Sequence, residues 1–396
     1  MKREKVLIVG GGFAGIKAAL ELTDDNRFEV TLLTEGNHFR YYPSLYKAAT
    51  GGKRANSAIP LATLFANKRI SIVNGTATTL DRKAKTVSTA AGEVIGYDSL
   101  VLALGVVTNY FGIPGLAEYS YGIKSLEQVE RLKAHLHQQL IDERKPDLNY
   151  VIIGGGPTGI ELAGTLPPYI KKLMKAHGIR NRNVHVDLVE ASPRLLPRAP
   201  RDVSRLISRR LRRSGVRLHL GKVVQGQTAD SLTVSGKPIQ SHTVIWTAGV
   251  TNNPFFSNNK FVLMGRGKVA TDIYLQAEEN IFVLGDNANT PYSGMAQTAV
   301  VDGAFLAENL KRRADGKSFK SYTAKEPWSV IPVGERWASA TRGGFRTYGI
   351  LGWLLREAAD LVAFHDYQPW QEAGKQWMTE FGHEETCKIC TAAIAE

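Results

Sequence analysis

The sequence predicts an α/β protein of two similar domains, the first interrupted by the second, followed by a C-terminal region of amphipathic helices. Three observations carry that prediction. An apolar run, three glycines and a small-residue turn occur twice, as KVLIVGGGFAGIKAAL from Lys5 and YVIIGGGPTGIELAGTL from Tyr150. A third short apolar run, ENIFVLGDNAN from Glu279, ends at Gly285-Asp286 and leads into another helical stretch, MAQTAVVDGAFLAENL. Beyond residue 336 the pattern changes to apolar residues at helical spacing. The expected boundaries are 1–115 and 263–335 for the first domain, 116–262 for the second and 336–396 for the C-terminal region.

In the first loop, Gly10, Gly12 and Gly15 follow a strand through Val9 and open a helix through Ala18 and Leu22. This is the G-x-G-x-x-G spacing of a Rossmann-like phosphate cradle. One glycine makes the tight turn, one lets backbone amides approach a pyrophosphate, and the third packs helix on strand. The next strand, FEVTLL, runs toward Glu35, close to where a ribose-binding carboxylate is expected, roughly 20 residues on. The second loop repeats the arrangement with Gly154, Gly156 and Gly159, and its following strand, VHVDLV, ends at Glu190. Two cradles imply two dinucleotides, most simply a resident flavin and a diffusible nicotinamide that reduces it. The flavin domain must then resume after the insertion. Gly285-Asp286 marks that resumption, with the aspartate placed to accept hydrogen bonds from ribityl or ribose hydroxyls.

Composition narrows the class. The chain has 396 residues, 43% hydrophobic and 22% charged, as expected of a globular protein. Its formal charge of +13 favours an acidic partner such as anionic lipid, and no nucleic-acid motif accompanies it. No apolar run approaches the roughly 18 residues that span a bilayer, and no secretory leader precedes the first strand, so a cytoplasmic setting is expected. The only cysteines, Cys387 and Cys390, exclude a disulfide framework.

The sequence resembles the two-dinucleotide-binding-domain flavoproteins, and within them the type II NADH:quinone oxidoreductases. The likeness runs through GGGFAGIKAA at Gly10, SLYKAATGG at Ser44, LVLALGVVTNYFGIPGL at Leu100, GGGPTGIELAG at Gly154, VEASPRLLP at Val189, VIWTAGVTNNP at Val244, IFVLGDNAN at Ile281 and MAQTAVVDG at Met295. The resemblance implies bound FAD, oxidation of NADH, a quinone acceptor and peripheral attachment to the cytoplasmic face of a membrane; with no spanning helix in the sequence to carry protons, no proton pumping is expected. It places Gly105, Gly249 and Ala296 against the cofactors. Glu161 falls beside the nicotinamide and flavin, as an organiser of the site or of its protons. Three positions depart from the family pattern: Leu104 and Thr34, where threonine and an acid are usual, and Val301, where a second glutamine near the quinone is usual.

Chemistry adds further expectations. A helix beginning near Met295 can aim its N-terminal amides at charge developing on the flavin, with Gln297 in its first turn as a hydrogen-bonding group. Glu190 favours NADH by accepting from a ribose 2′-hydroxyl and repelling a 2′-phosphate, and nearby Arg194 softens that preference. In YGILGWLLREAADLVAF, the apolar residues spread over a broad helical face while Arg356, Glu357 and Asp360 gather on a narrow arc. Such a face is expected to pack on protein or in a homodimer seam. The following helix, with Trp370, Trp377, Met378 and Phe381, is expected at a lipid surface. The cluster Arg201, Arg205, Arg209, Arg210, Arg212, Arg213 and Arg217 reads as solvated surface, and HEETCKIC as an inert tail without a fourth metal ligand. Two alternatives stay open: an NADH-binding flavoprotein of the apoptosis-inducing-factor type, and an oxidoreductase with a non-quinone acceptor. Flavin enzymes that work through a cysteine pair near the flavin are disfavoured, because no cysteine precedes residue 387.

Overall fold

The computed structural model describes residues 3–141, 147–179, 182–382 and 384. Two sheets organise the chain. The larger has six strands in the order Gln276–Glu278, Ile281–Val283, Ser99–Leu102, Glu4–Val9, Phe28–Thr34 and Ile70–Asn74. All its pairings are parallel except the outermost hairpin, Gln276–Glu278 with Ile281–Val283. The smaller sheet has four parallel strands in the order Val216–Leu220, His185–Glu190, Asn149–Ile153 and Thr243–Trp246. Strands of the larger sheet therefore come from both sides of the segment that forms the smaller one. The central strands are buried on both faces, which is why they read as unbroken apolar runs rather than alternating ones.

The repeat extends beyond the glycine loops. Each parallel sheet is accompanied by a three-stranded antiparallel meander, Ala77–Asp81 to Val94–Gly96 in one case and Val224–Gln227 to Lys237–Gln240 in the other. A two-stranded ribbon, Val106–Thr108 against Val250–Asn252, ties the two halves together. The helices Phe13–Thr23 and Ala296–Ala314 pack on each other over the larger sheet, with Ala14, Ala18, Leu306 and Leu310 in one core.

The C-terminal region belongs to that same core. Phe364, Tyr367 and Ala373 are buried with Phe13, Phe39 and Tyr41, and the Tyr367 hydroxyl donates to the Phe13 carbonyl at 3.1 Å. Helix Ile350–His365 lies inside out relative to expectation. Its charged arc, Arg356, Glu357 and Asp360, faces the protein interior. Phe364 is buried, but four other apolar residues find no cover within this chain: Ile350, Leu351 and Leu354 are 64%, 65% and 51% exposed, and Val362 is exposed with them. The expectation that this face packs on the body of the protein is thus corrected for these four residues. Buried carboxylates and a guanidinium recruit one another in the interior, and the hydrocarbon is what remains outside. On the next helix, Trp370–Thr379, Trp370 and Met378 are exposed while Ala373 is buried, and Phe381 just beyond it is also exposed. No helix among the described residues is long and apolar enough to cross a membrane. His383, Cys387 and Cys390 lie outside the described residues.

Candidate active site

The two glycine loops are built alike. Gly10 and Gly154 have φ of 115° and 117°, a backbone region that side chains disfavour. A Cβ on Gly15 would lie 2.0 Å from the Gly10 carbonyl oxygen, and one on Gly159 would lie 1.9 Å from that of Gly154. These positions are fixed by the packing of helix on strand. Gly12 and Gly156 differ: a Cβ there would meet nothing within 4 Å. Each is an N-cap without a side-chain cap, at the start of the helices Phe13–Thr23 and Pro157–Ala176. Open space over uncapped amides is what a pyrophosphate requires.

The acids beyond the second strands part company with this symmetry. Glu190 ends its strand, with Oε2 accepting from the Gly155 amide at 2.6 Å and Oε1 from the Ser192 amide at 2.7 Å. At the matching place in the first loop stands Thr34: a Cβ on Gly11 would lie 2.4 Å from its Oγ1, as one on Gly155 would lie 2.9 Å from Glu190 Oε2. Glu35 comes one residue later, exposed, on the wall of the cavity described next. Arg194 is occupied with the carbonyls of Ala199 and Pro197 rather than with Glu190.

A cavity of about 650 Å³ opens above the first loop. Its walls include Gly10, Gly12, Thr34, Glu35 and Gly105, then Gly285, Asp286, Ala296 and Gln297, and finally Glu161 and Val250 from the smaller-sheet half. Helix Ala296–Ala314 starts on this wall with no side-chain cap, so its first amides face the cavity as a third uncapped N-terminus. Gln297 Oε1 accepts from the Trp328 amide at 2.8 Å, which leaves the side-chain NH2 as its free donor. Asp286 is largely enclosed, and burial raises its pKa against the pull of Lys268. Gly249 packs against the connecting segment: a Cβ there would lie 2.4 Å from the Asn109 carbonyl oxygen. An elongated cleft with two uncapped helix ends, an open glycine and an enclosed carboxylate fits a flavin dinucleotide. The second cradle, with Glu190 at the end of its second strand, fits a nicotinamide dinucleotide.

Glu161 is buried, and burial pushes its carboxyl up to about 7, with Arg356 and Lys47 pulling it down and Asp360 pushing it up. Arg356 and Asp360, from the inside-out C-terminal helix, share the cavity wall with it. Arg356 Nε sits 3.0 Å from Asp360 Oδ2, and its Nη2 donates to the Pro43 carbonyl at 3.0 Å. Sequence reasoning placed neither residue in the site.

It also passed over two supports. Asn287 Oδ1 accepts from the Gly105 amide at 2.8 Å, and its Nδ2 donates to the Gly105 carbonyl at 2.7 Å and to Asn252 Oδ1 at 2.6 Å. It therefore clamps the Gly105 turn to the ribbon joining the halves. Asp302, fully buried, accepts from the Gly285 amide at 2.9 Å and the Tyr322 hydroxyl at 2.6 Å, and burial raises its carboxyl to about 6. An acid on the apolar face of MAQTAVVDGAFLAENL was the one sequence signal for it.

A family model described as pyridine nucleotide-disulphide oxidoreductase matches residues 4–303. The chain belongs to that family. Proteins named type II NADH:quinone oxidoreductase from Staphylococcus haemolyticus and Staphylococcus aureus are each 26% identical over 355 residues, covering 84% of this chain and 88% of theirs. The resemblance drawn from the motifs is met by these relatives. Among solved structures, NDH2 from Plasmodium falciparum in complex with NADH superposes with a TM-score of 0.85 at 16% identity, covering 96% of this chain and 98% of that one. The sulfide:quinone oxidoreductase of Aquifex aeolicus superposes at 0.78 with 19% identity, covering 98% of each chain. These likenesses establish the fold. Despite the family's description, no cysteine occurs before residue 387 in this sequence.

Proposed function

We propose that the chain oxidises NADH through bound FAD and passes the electron pair to a membrane quinone. Residues 1–115 and 263–335 form the flavin domain, and 116–262 the NADH domain. The observation that carries this reading is the single cavity on which the flavin cradle, the helix N-terminus at Ala296 and Glu161 of the nicotinamide-side helix all open. The relatives' name points the same way.

FAD, when bound, supplies the capacity to take a hydride from the nicotinamide and give up two electrons. The protein's part is positional and electrostatic. Gly10, Gly12 and Gly15 hold the pyrophosphate on the amides of helix Phe13–Thr23, and Asp286 accepts from sugar-chain hydroxyls. Thr34 and Glu35 share the adenosine end. The amides opening the helix at Ala296, together with the free Gln297 NH2, place positive potential where reduction adds negative charge. Gly105 leaves its backbone open to the cofactor, Gly249 acts through its packing on the Asn109 segment, and Glu190 selects NADH through its ribose. Glu161, near 7, holds or releases a proton under working conditions.

The exposed row Ile350, Leu351, Leu354 and Val362, continued by Trp370, Met378 and Phe381, is the surface we assign to the bilayer on its cytoplasmic side. Its hydrocarbon suits the acyl boundary, and the net charge of +13 suits anionic headgroups. The deciding experiment pre-reduces the protein and compares reoxidation by a short-chain quinone, by a one-electron carrier protein and by oxygen. Fastest recovery with quinone is expected; recovery fastest with the carrier protein or oxygen overturns the assignment of the acceptor.

A further inference from the structure

Six ionisable side chains meet behind the flavin cavity with little access to water. Lys47 and Arg356 are the cations, and Glu161, Glu357, Asp360 and Glu380 are the carboxyls. Tyr41 and Tyr46, both buried, complete the ring of titratable neighbours. Four carboxyls against two cations cannot all be ionised in so dry a place. The hydrogen bonds agree: Glu380 Oε1 and Glu357 Oε2 are buried acceptors without an aligned donor, which suits a carboxyl that carries its own proton.

The groups form a line from outside to inside. Glu380 sits where the chain passes out to the surface, followed by Phe381, which is exposed, and by Glu384, whose Oε2 accepts from the Arg54 amide at 3.0 Å. Lys47 Nζ lies 2.6 Å from Glu380 Oε2 and 3.8 Å from Asp360 Oδ2. Asp360 in turn meets Arg356 Nε at 3.0 Å and receives the Tyr41 hydroxyl at 2.8 Å. Asp360 and Arg356 then stand on the cavity wall with Glu161.

We propose that Glu380 and Asp360, held side by side by Lys47, relay the proton consumed in quinone reduction from solvent to the flavin cavity. The inference rests on the quinone-reductase reading above. The balance is NADH plus one proton plus quinone giving NAD+ plus hydroquinone, with both electrons coming from NADH. Glu380 gives its proton to Asp360 and is left as a carboxylate paired with Lys47, which stays a cation. Asp360 gives the proton into the cavity, and Glu380 takes a replacement from water beside the exposed Phe381. The inward face of helix Ile350–His365 is charged because it carries this path.

The test separates electron from proton delivery. Glu380→Gln, which keeps shape but holds no exchangeable acid proton, should slow reoxidation of the NADH-reduced protein by soluble quinone by about tenfold to a hundredfold. Reoxidation by ferricyanide, which takes electrons alone, should stay within about twofold. Glu380→Asp should restore part of the loss. Unchanged quinone reoxidation in a folded variant overturns the relay. So does an equal loss with both acceptors, which marks a structural role. Wild type that recovers with ferricyanide but not with quinone removes the functional reading, and the relay with it.

Discussion

Replacing Glu161 with glutamine tests whether this carboxyl is held neutral by its surroundings. Glutamine is nearly isosteric and uncharged, so it copies the protonated acid and not the carboxylate. Burial moves the group from its ordinary 4.5 to about 7, a displacement equivalent to about 3 kcal/mol of differential stability between its two protonation states. The sign follows from which state binds protons more tightly. The folded protein does, so stability from this site is retained below 4.5 and lost as pH rises through about 7. Glu161→Gln escapes that loss. Its stability relative to wild type should therefore improve by about 2 to 3 kcal/mol between about pH 5 and about pH 8.5. The assay is urea denaturation of the flavin-loaded proteins at both pH values, read as the change in the mutant-minus-wild-type difference. A difference that does not move with pH refutes the argument that burial dominates over the Arg356 and Lys47 cations.

Other perturbations reach the remaining parts of the site. Glu190→Ala leaves the Gly155 and Ser192 amides without their acceptor and removes the ribose ligand, so the ratio of NADH to NADPH in kcat/KM should fall by about tenfold to a hundredfold; an unchanged ratio refutes its role. Asn287→Ala removes three hydrogen bonds at the Gly105 turn and should cost about 1–3 kcal/mol together with weaker flavin retention, measured by flavin release on dilution. The paired change Leu351→Glu and Leu354→Glu alters only exposed hydrocarbon, so it should abolish sedimentation with anionic vesicles while NADH-driven flavin bleaching persists. Retained sedimentation would move the docking surface elsewhere. Truncation before Tyr348 is a poorer test, because it also deletes Arg356, Asp360 and the buried Phe364 and Tyr367.

Much of this architecture is legible in the sequence for a physical reason. Phosphate cradles require glycine where backbone must turn with positive φ or approach closely, and Gly10 and Gly15 have no tolerable substitute. The strands around them are buried on both faces and so announce themselves as apolar runs. What the sequence hides is tertiary partnership. Arg356, Glu357 and Asp360 form the same narrow arc whether they face water or a buried lysine, and only the position of Lys47 and Glu380 decides which. Periodicity gives the face of a helix and not its direction. Asn287 in its loop carries no periodic signal, and Asp302 shows only as an acid on an apolar helix face, although each holds a glycine turn of the cavity through hydrogen bonds. Thr34 shows the opposite case: the strand was readable, but its last residue departs from the acid that its counterpart, Glu190, retains.

The central claim, that two dinucleotides meet at one cavity to carry an electron pair onward, is tested most directly by an anaerobic titration followed through the flavin's visible absorption. One equivalent of NADH per flavin should bleach it fully, and one equivalent of soluble quinone should then restore it. Bleaching without recovery, or no bleaching by NADH at all, would contradict the account.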